Sequence, residues 1–224
     1  TAVNGCLNTT TAVVTVLPLP TISVNSPSIC NGASATLTAS GANTYTWSPS
    51  TGLSATTGAS VTANPTTTTT YTITGTAANG CLNTATATVT VLTLPTVTVN
   101  SPNICNGASA TLTANGANSY SWSPSTGLNA TTGASVTANP TTTTTYTITG
   151  TAVNGCLNTT TAVVTVLPLP TLTVNSPSIC NGASTTLTAN GANTYTWSPS
   201  TGLSATTGAS VTANPTTTTT YTIT

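Results

Sequence analysis

Aspartate, glutamate, lysine, arginine and histidine are all missing from this 224-residue chain, as are phenylalanine and methionine. Without His or carboxylates, the usual general acids and bases near neutral pH are gone. Metal sites want His, carboxylate or clustered thiolate, and phosphate or nucleic-acid grooves need Lys or Arg. No initiator Met, signal peptide or run of 18 apolar residues appears, so the chain is expected to be a processed or excerpted piece of something longer. Aromatic side chains make up only 4% of the chain, so any core is lean. Zero net charge removes attraction to nucleic acid and anionic membrane, and with it the repulsion that keeps most proteins apart. Hydroxyl and amide groups must hold the surface in water. These absences exclude most enzyme chemistry, and no catalytic residue, metal or cofactor is expected.

What is present is periodic. The sequence repeats every 75 residues, and threonine fills more than a quarter of it. Thr and Val favour strands because β-branched side chains fit a half-buried pleated surface. Strong helix formers are scarce, and the expected class is all-β. Low charge with high polarity also fits disorder. Regular alternation of Val, Ile and Tyr, with one Trp per repeat, argues against it. Copying one module along a chain suits a stacked array. The expected division is a closing strand at 1–19, sandwiches at 20–94 and 95–169, and a sandwich lacking its last strand at 170–224.

Within the repeat at 20–94, Ile22 and Val24 alternate with polar residues and predict a first strand. Ser26-Pro27 breaks it, and Asn31-Gly32 supplies a turn. Ala35, Leu37 and Ala39 face one way in a second strand, followed by Tyr45 and Trp47 in a third. Pro49, Gly52 and Gly58 punctuate a loop. Ala59, Val61 and Ala63 alternate up to Asn64-Pro65, and Tyr71 and Ile73 open another strand. Asn79-Gly80 marks a two-residue hairpin, and Ala87, Val89 and Val91 close the unit. Six or seven short strands at this spacing predict a two-sheet sandwich. The expected core is Val24, Leu37, Trp47, Val61, Tyr71, Ile73, Val89 and Val91, with Leu53 capping an end. A unit this small is marginal alone, so neighbour contacts and covalent staples are expected to help it.

Trp47, Trp122 and Trp197 could be platforms for stacking sugars, but a core indole on the third strand is the preferred reading. Tyr71, Tyr146 and Tyr221 read as core residues whose hydroxyl bonds near a corner. The threonine runs offer exposed hydroxyls, making Thr66, Thr67, Thr68, Thr141, Thr142, Thr143, Thr216, Thr217 and Thr218 candidate O-glycan acceptors. An ice-binding face is the weakest reading of the same residues. N-x-Thr sequons occur at Asn8, Asn129 and Asn158, but Asn129 has no counterpart in the other repeats.

The cysteines recur at two places per repeat: Cys6, Cys81 and Cys156, and Cys30, Cys105 and Cys180. None forms a C-x-x-C pair, so disulfides and an oxidising, extracellular location are expected.

The segments Ile29-Cys30-Asn31-Gly32, Leu37-Thr38-Ala39, Tyr45-Thr46-Trp47-Ser48-Pro49, Asn64-Pro65-Thr66, Tyr71-Thr72-Ile73 and Asn79-Gly80-Cys81 recur with the repeat, with Ser121 in the place of Thr46. Together they resemble the immunoglobulin-like and PKD-like repeats of giant secreted adhesins of Bacteroidota-type bacteria. The resemblance implies tandem immunoglobulin-like sandwiches, secreted or on the cell surface, linked to adhesion, gliding or biofilm. Such repeats usually carry some Asp and Lys, and this chain departs from them there.

In such a sandwich the first turn, with Cys30, lies where the chain leaves the unit, and the last hairpin, with Cys81, lies where it enters. A strand of seven to nine residues separates them, roughly 25–30 Å, beyond the ~7 Å Cα limit of a disulfide. Head-to-tail stacking instead brings Cys30 to Cys156. That inter-unit bridge is preferred over Cys30–Cys81, with Cys6, Cys81, Cys105 and Cys180 bonding to neighbouring units. The expected partners are therefore further repeats of the same polymer or copies of the chain, head to tail, with glycans as a further prospect. Because residues 1–17 match the piece that 170–224 lacks, two origins fit. One is a stretch of a continuous array, favoured by the register; the other is a subunit that polymerises by donating its front strand. The function expected is a non-catalytic extracellular fibre or adhesin stalk. The alternative is a module that itself grips carbohydrate or another surface.

Overall fold

A computed structural model describes residues 2–224, and among them there is no helix. The alternation seen in the sequence becomes two packed sheets per unit. In the first unit the strands are β1 (Ser23–Val24), β2 (Ser28–Cys30), β3 (Ala35–Ser40), β4 (Thr44–Ser48), β5 (Ser60–Ala63), β6 (Thr69–Thr76) and β7 (Leu82–Leu92). One sheet has the order β1-β3-β5 and the other β2-β7-β6-β4. The second unit repeats this with β8 (Thr98–Val99), β9 (Asn103–Cys105), β10 (Ala110–Asn115), β11 (Ser119–Ser123), β12 (Ser135–Ala138), β13 (Thr144–Thr151) and β14 (Leu157–Leu167). Its sheets are β12-β10-β8 and β11-β13-β14-β9. The chain is a tandem array of immunoglobulin-like β-sandwiches.

The core of each complete unit lies between its two sheets. In the first, Leu37, Trp47, Val61, Tyr71, Ile73 and Val89 are buried, joined by Ile29, Ala39, Tyr45, Ala63 and Ala87. Val24, Val91 and Leu53 pack against this cluster while only partly buried. Alternation explains the division, since every second residue of β3, β4 and β5 faces inward. The loop after β4 is pinned to both sheets by bridges Thr46↔Thr57 and Leu53↔Ala63. Gly41 and Gly116 adopt φ of +97° and +94°, and a β-carbon there would collide with the carbonyls of Thr21 and Thr96. Only glycine lets the turn before β4 and β11 approach the incoming chain so closely.

Cys30 does not lie in a turn between the first two strands. It ends a separate three-residue strand, β2, that pairs parallel with β7 at Ile29↔Val91 and Cys30↔Leu92. A run of three residues between Ser26-Pro27 and Asn31-Gly32 is too short for period-2 reading, so the strand is visible only through its partner. The change of sheet still leaves Cys30 beside Leu92, where the chain exits. Because β7 is 11 residues long, the hairpin at its start is about 33 Å away.

The two ends depart from the full pattern. Residues 2–19, expected as a closing strand, form no strand and, like Val14 at 87% exposure, stand in solvent. A lone strand has no hydrogen-bonding partner, and no sheet edge lies beside this one. The third unit has β15 (Thr173–Val174), β16 (Thr185–Asn190), β17 (Trp197–Ser198), β18 (Ser210–Ala213) and β19 (Thr222–Ile223). Sheet β15-β16-β18 matches its counterparts, but the second sheet is reduced to β17-β19. No described residues fill the place of β7 or β14 there, and 178–180 lie outside any strand.

Candidate assembly junction

The structure joins Cys30 of the first unit to Cys156 of the second, across a sequence separation of 126 residues and a Cα distance of 5.6 Å. Cys30 is held at the exit pole by β2. Cys156 is held in the β13–β14 hairpin, where Ala152 N–H donates to the carbonyl of Cys156 (2.9 Å) and Gly155 N–H to that of Ala152 (3.0 Å). The Asn154 side chain accepts from the Cys156 N–H (3.0 Å) and fixes its orientation. Cys156 is fully buried under the joint.

The same hairpin grips the linker. Asn154 Nδ2 donates to the carbonyl of Thr93 (3.0 Å) and Asn158 Nδ2 to that of Pro95 (2.9 Å). These carbonyls are acceptors only, and amide side chains can serve them without charge. The first unit treats its own incoming chain alike. Asn79 donates to Pro18 (3.1 Å) and Asn83 to Pro20 (2.8 Å), and Cys81 Sγ lies 3.9 Å from the carbonyl of Leu17. Pro20 and Pro95 are consequently buried, whereas Pro170, with no hairpin over it, is exposed. Composition gave no hint of this clamp. Its signal is the recurrence of Asn at both ends of the hairpin in every repeat. The sequon at Asn158 is part of it, which counts against a glycan there.

Cys6, Cys105 and Cys180 are exposed free thiols, and Cys81 is a half-buried one. The threonines Thr66, Thr67, Thr68, Thr141, Thr142, Thr143, Thr216, Thr217 and Thr218 are all exposed. Thr68 and Thr143 have a structural task, since their Oγ1 atoms accept from the Val91 and Val166 N–H groups (both 3.0 Å). The indoles of Trp47, Trp122 and Trp197 are 3%, 4% and 3% exposed, and each Nε1 donates to a carbonyl, of Gly58, Gly133 or Gly208. They offer no face to a sugar. Tyr71, Tyr146 and Tyr221 each donate a 2.7 Å hydrogen bond across the unit, to Thr51, Thr126 and Thr201.

Burial lifts the Tyr71 and Tyr146 hydroxyls above their ordinary value of 10.0, with the nearby Thr69 and Thr144 hydroxyls partly opposing it. Above about pH 10 the unfolded phenols ionise while the folded ones stay neutral. Stability should therefore be complete below the unfolded value and fall as pH rises towards the folded one. Between about pH 4 and 8 no side chain present has its reference pKa, and no ion pair exists for salt to screen. Unfolding midpoints measured over that range and in rising NaCl should stay flat. A strong shift at low salt would refute the expectation for unglycosylated protein.

Residues 18–95 match the family described as Ig-like domain, CHU_C associated. No curated protein matches the chain in sequence. Among solved structures, the N-terminal eight Ig domains of Down Syndrome Cell Adhesion Molecule are 13% identical, covering 88% of this chain and 38% of theirs, with a TM-score of 0.38. A titin I-band fragment is 13% identical over 89% of each chain, with a TM-score of 0.42. A Ca2+-stabilized adhesin that helps an Antarctic bacterium bind ice is 15% identical, covering 88% of this chain and 66% of that one, with a TM-score of 0.36. These scores are too low to carry an argument about function. The match at 18–95 spans the unit that the 75-residue period copies, so that unit is similar to the CHU_C-associated Ig-like domains, in keeping with the tandem Ig-like sandwiches of the fold.

Proposed function

We propose that this array is a non-catalytic structural element, an extracellular fibre or the stalk of a surface adhesin. The observation that carries the reading is the junction: a linker gripped by two asparagines and crossed by the Cys30–Cys156 bridge couples one unit to the next. A bridge of this kind persists in oxidising surroundings, which supports a secreted or cell-surface location. No side chain present has its reference pKa between about pH 4 and 8 for catalysis, and repetition multiplies length without adding a new surface. The exposed turn threonines, Thr66 and Thr67 with their counterparts, are where O-glycans would attach and add solubility. The alternative, a module that itself binds carbohydrate, gets no support from the buried Trp side chains.

Small-angle X-ray scattering of the 224-residue chain should return an elongated particle, and once the Cys30–Cys156 bridge is reduced, single-molecule pulling should show a separate unfolding event for each complete unit. Tight, saturable binding to a glycan array by the same chain, lost on a surface substitution, would overturn the stalk reading. Intact mass measured on native material tests the glycans.

A further inference from the structure

Tension along the array can cross the junction by two routes, the linker or the disulfide. The bridge joins Cys30 to Cys156 over 126 residues of sequence and a Cα distance of 5.6 Å. Inside the loop it closes lie β3 to β7 of the first unit and β8 to β13 of the second. Of the two complete units, only β1, β2 and β14 lie outside it. We propose that the bridge takes both complete units out of the path of tension. The oxidised array is then an almost inextensible cord, and reduction of this one bond makes it stretch. This deepens the reading of the chain as a structural array and rests on it.

Each segment outside the loop crosses its unit once and is already drawn out. Pro20 sits at the entry pole, where Asn83 holds its carbonyl at 2.8 Å, and Cys30 sits at the exit pole, paired with Leu92. Asn83 and Leu92 are both on β7, about 30 Å apart at the rise of a strand. The chain from Pro20 to Cys30 reaches at most about 36 Å, so its slack is only ~6 Å. In the second unit Cys156 stands at the entry pole. The 11 residues of β14 then run extended to Leu167, beside Cys105 at the exit pole.

Pulling β14 between its own two ends puts tension along a single strand. Its ladders to β13 and β9 are not sheared, because the covalent route through the bridge leaves both neighbours unloaded. In the first unit β3 to β7 hang in the same way on 20–30, through the β1–β3 and β2–β7 pairs. The length kept out of reach is large. Fully extended, the closed loop would span roughly 420–450 Å.

Without the bridge the route changes. Tension then enters the first unit at Pro20 and leaves through the end of β7 and the linker, so it draws β2 and β7 in opposite directions. They meet in parallel at only three positions, Ser28↔Thr90, Ile29↔Val91 and Cys30↔Leu92. Strand β1 meets β3 at only two, Ser23↔Ser40 and Val24↔Ala39. Parallel pairs are the weaker kind per residue, and so short a contact slides readily. The second unit has the same weak edge in β8 and β9. Each unit then opens from its first strands and releases its length.

A reductant meets this bond from the Cys30 side, since Cys30 is half-buried and Cys156 is buried. A thiolate of a small dithiol attacks Cys30 Sγ, the S–S bond breaks, and Cys156 leaves as a thiolate. The second thiol of the dithiol then closes on the first and frees Cys30. The dithiol supplies two electrons and two protons and becomes a cyclic disulfide, while the two cysteines end as thiols.

The test stretches single molecules of the whole chain, tagged at both ends, before and after dithiothreitol is added. Chymotryptic mapping (trypsin has no Lys or Arg to cut) first verifies the Cys30–Cys156 bond. Oxidised molecules should show no unfolding step from the two complete units. Reduced molecules should gain two steps and a contour length greater by roughly 410–450 Å, the extended loop less the closed bridge. The double variant Cys30→Ser with Cys156→Ser should behave like the reduced parent in both buffers. Should either unit lose its fold on reduction, its step disappears but the added contour length remains and still supports the proposal. Equal contour lengths before and after reduction, or steps from the complete units while the bridge is intact, would overturn it. If scattering then still gives an elongated particle, the array reading stands and only the path of tension is wrong. Saturable glycan binding alongside the full contour change would do the reverse.

Discussion

Replacing the central indole, Trp122→Ala, should lower the stability of the middle unit by about 3–5 kcal/mol, the range for truncating a buried aromatic. Trp122 lies across from Ile148 in the β11–β13 ladder and within the cluster containing Leu112, Val136, Tyr146 and Val164. The change removes its contacts, leaves a cavity in a core with few large side chains, and strands the Gly133 carbonyl that the indole satisfies at 2.9 Å. Because the units need not unfold together, hydrogen exchange is the suitable measurement. Protection should fall in β10–β14 and far less in the first unit. If Trp122→Ala kept full protection and instead abolished binding to a glycan, the tryptophans would be a recognition surface and their packing role would be wrong.

Removing the bridge by the double change Cys30→Ser and Cys156→Ser should act on the coupling between units. The bridge closes a 126-residue loop, and a chain-entropy treatment assigns such a loop roughly 5 kcal/mol, an upper figure. Each unit retains its own core, so the double variant should still fold. The first two units should then unfold at more separated denaturant midpoints, and the particle should bend more in solution while Asn154 and Asn158 keep their hold on the linker. Unchanged midpoints and unchanged scattering would mean that the asparagine clamp alone sets the junction.

The strands that could be seen in the sequence were those with enough residues to show alternation. Leu37, Trp47, Val61, Tyr71, Ile73 and Val89 are buried because each sits on the inward face of a strand at least four residues long. Val24 and Val91, expected beside them, are only partly buried, since both lie towards strand ends at the rim of the sandwich. Ser28–Cys30 was missed for want of length. The asparagine clamp and the Ser26 and Thr68 acceptors were missed for a different reason. Asn, Ser and Thr are everywhere in this chain, and nothing local separates the asparagines that reach 61 or 63 residues back to hold the linker, or the Ser26 hydroxyl that accepts from β7 62 residues on, from those that face water.

Composition and periodicity therefore determined by themselves the all-β class, the 75-residue unit, the inward face of the longer strands and the shortage of ionisable chemistry, because each depends on residue type or on neighbours within one strand. Head-to-tail stacking made Cys30–Cys156 the preferred pairing, but tertiary structure decided that these thiols meet. Six cysteines allow 15 complete pairings, and Cys30 comes within 5.6 Å of Cys156 only because a strand changes sheets and a hairpin of the next unit closes over the linker.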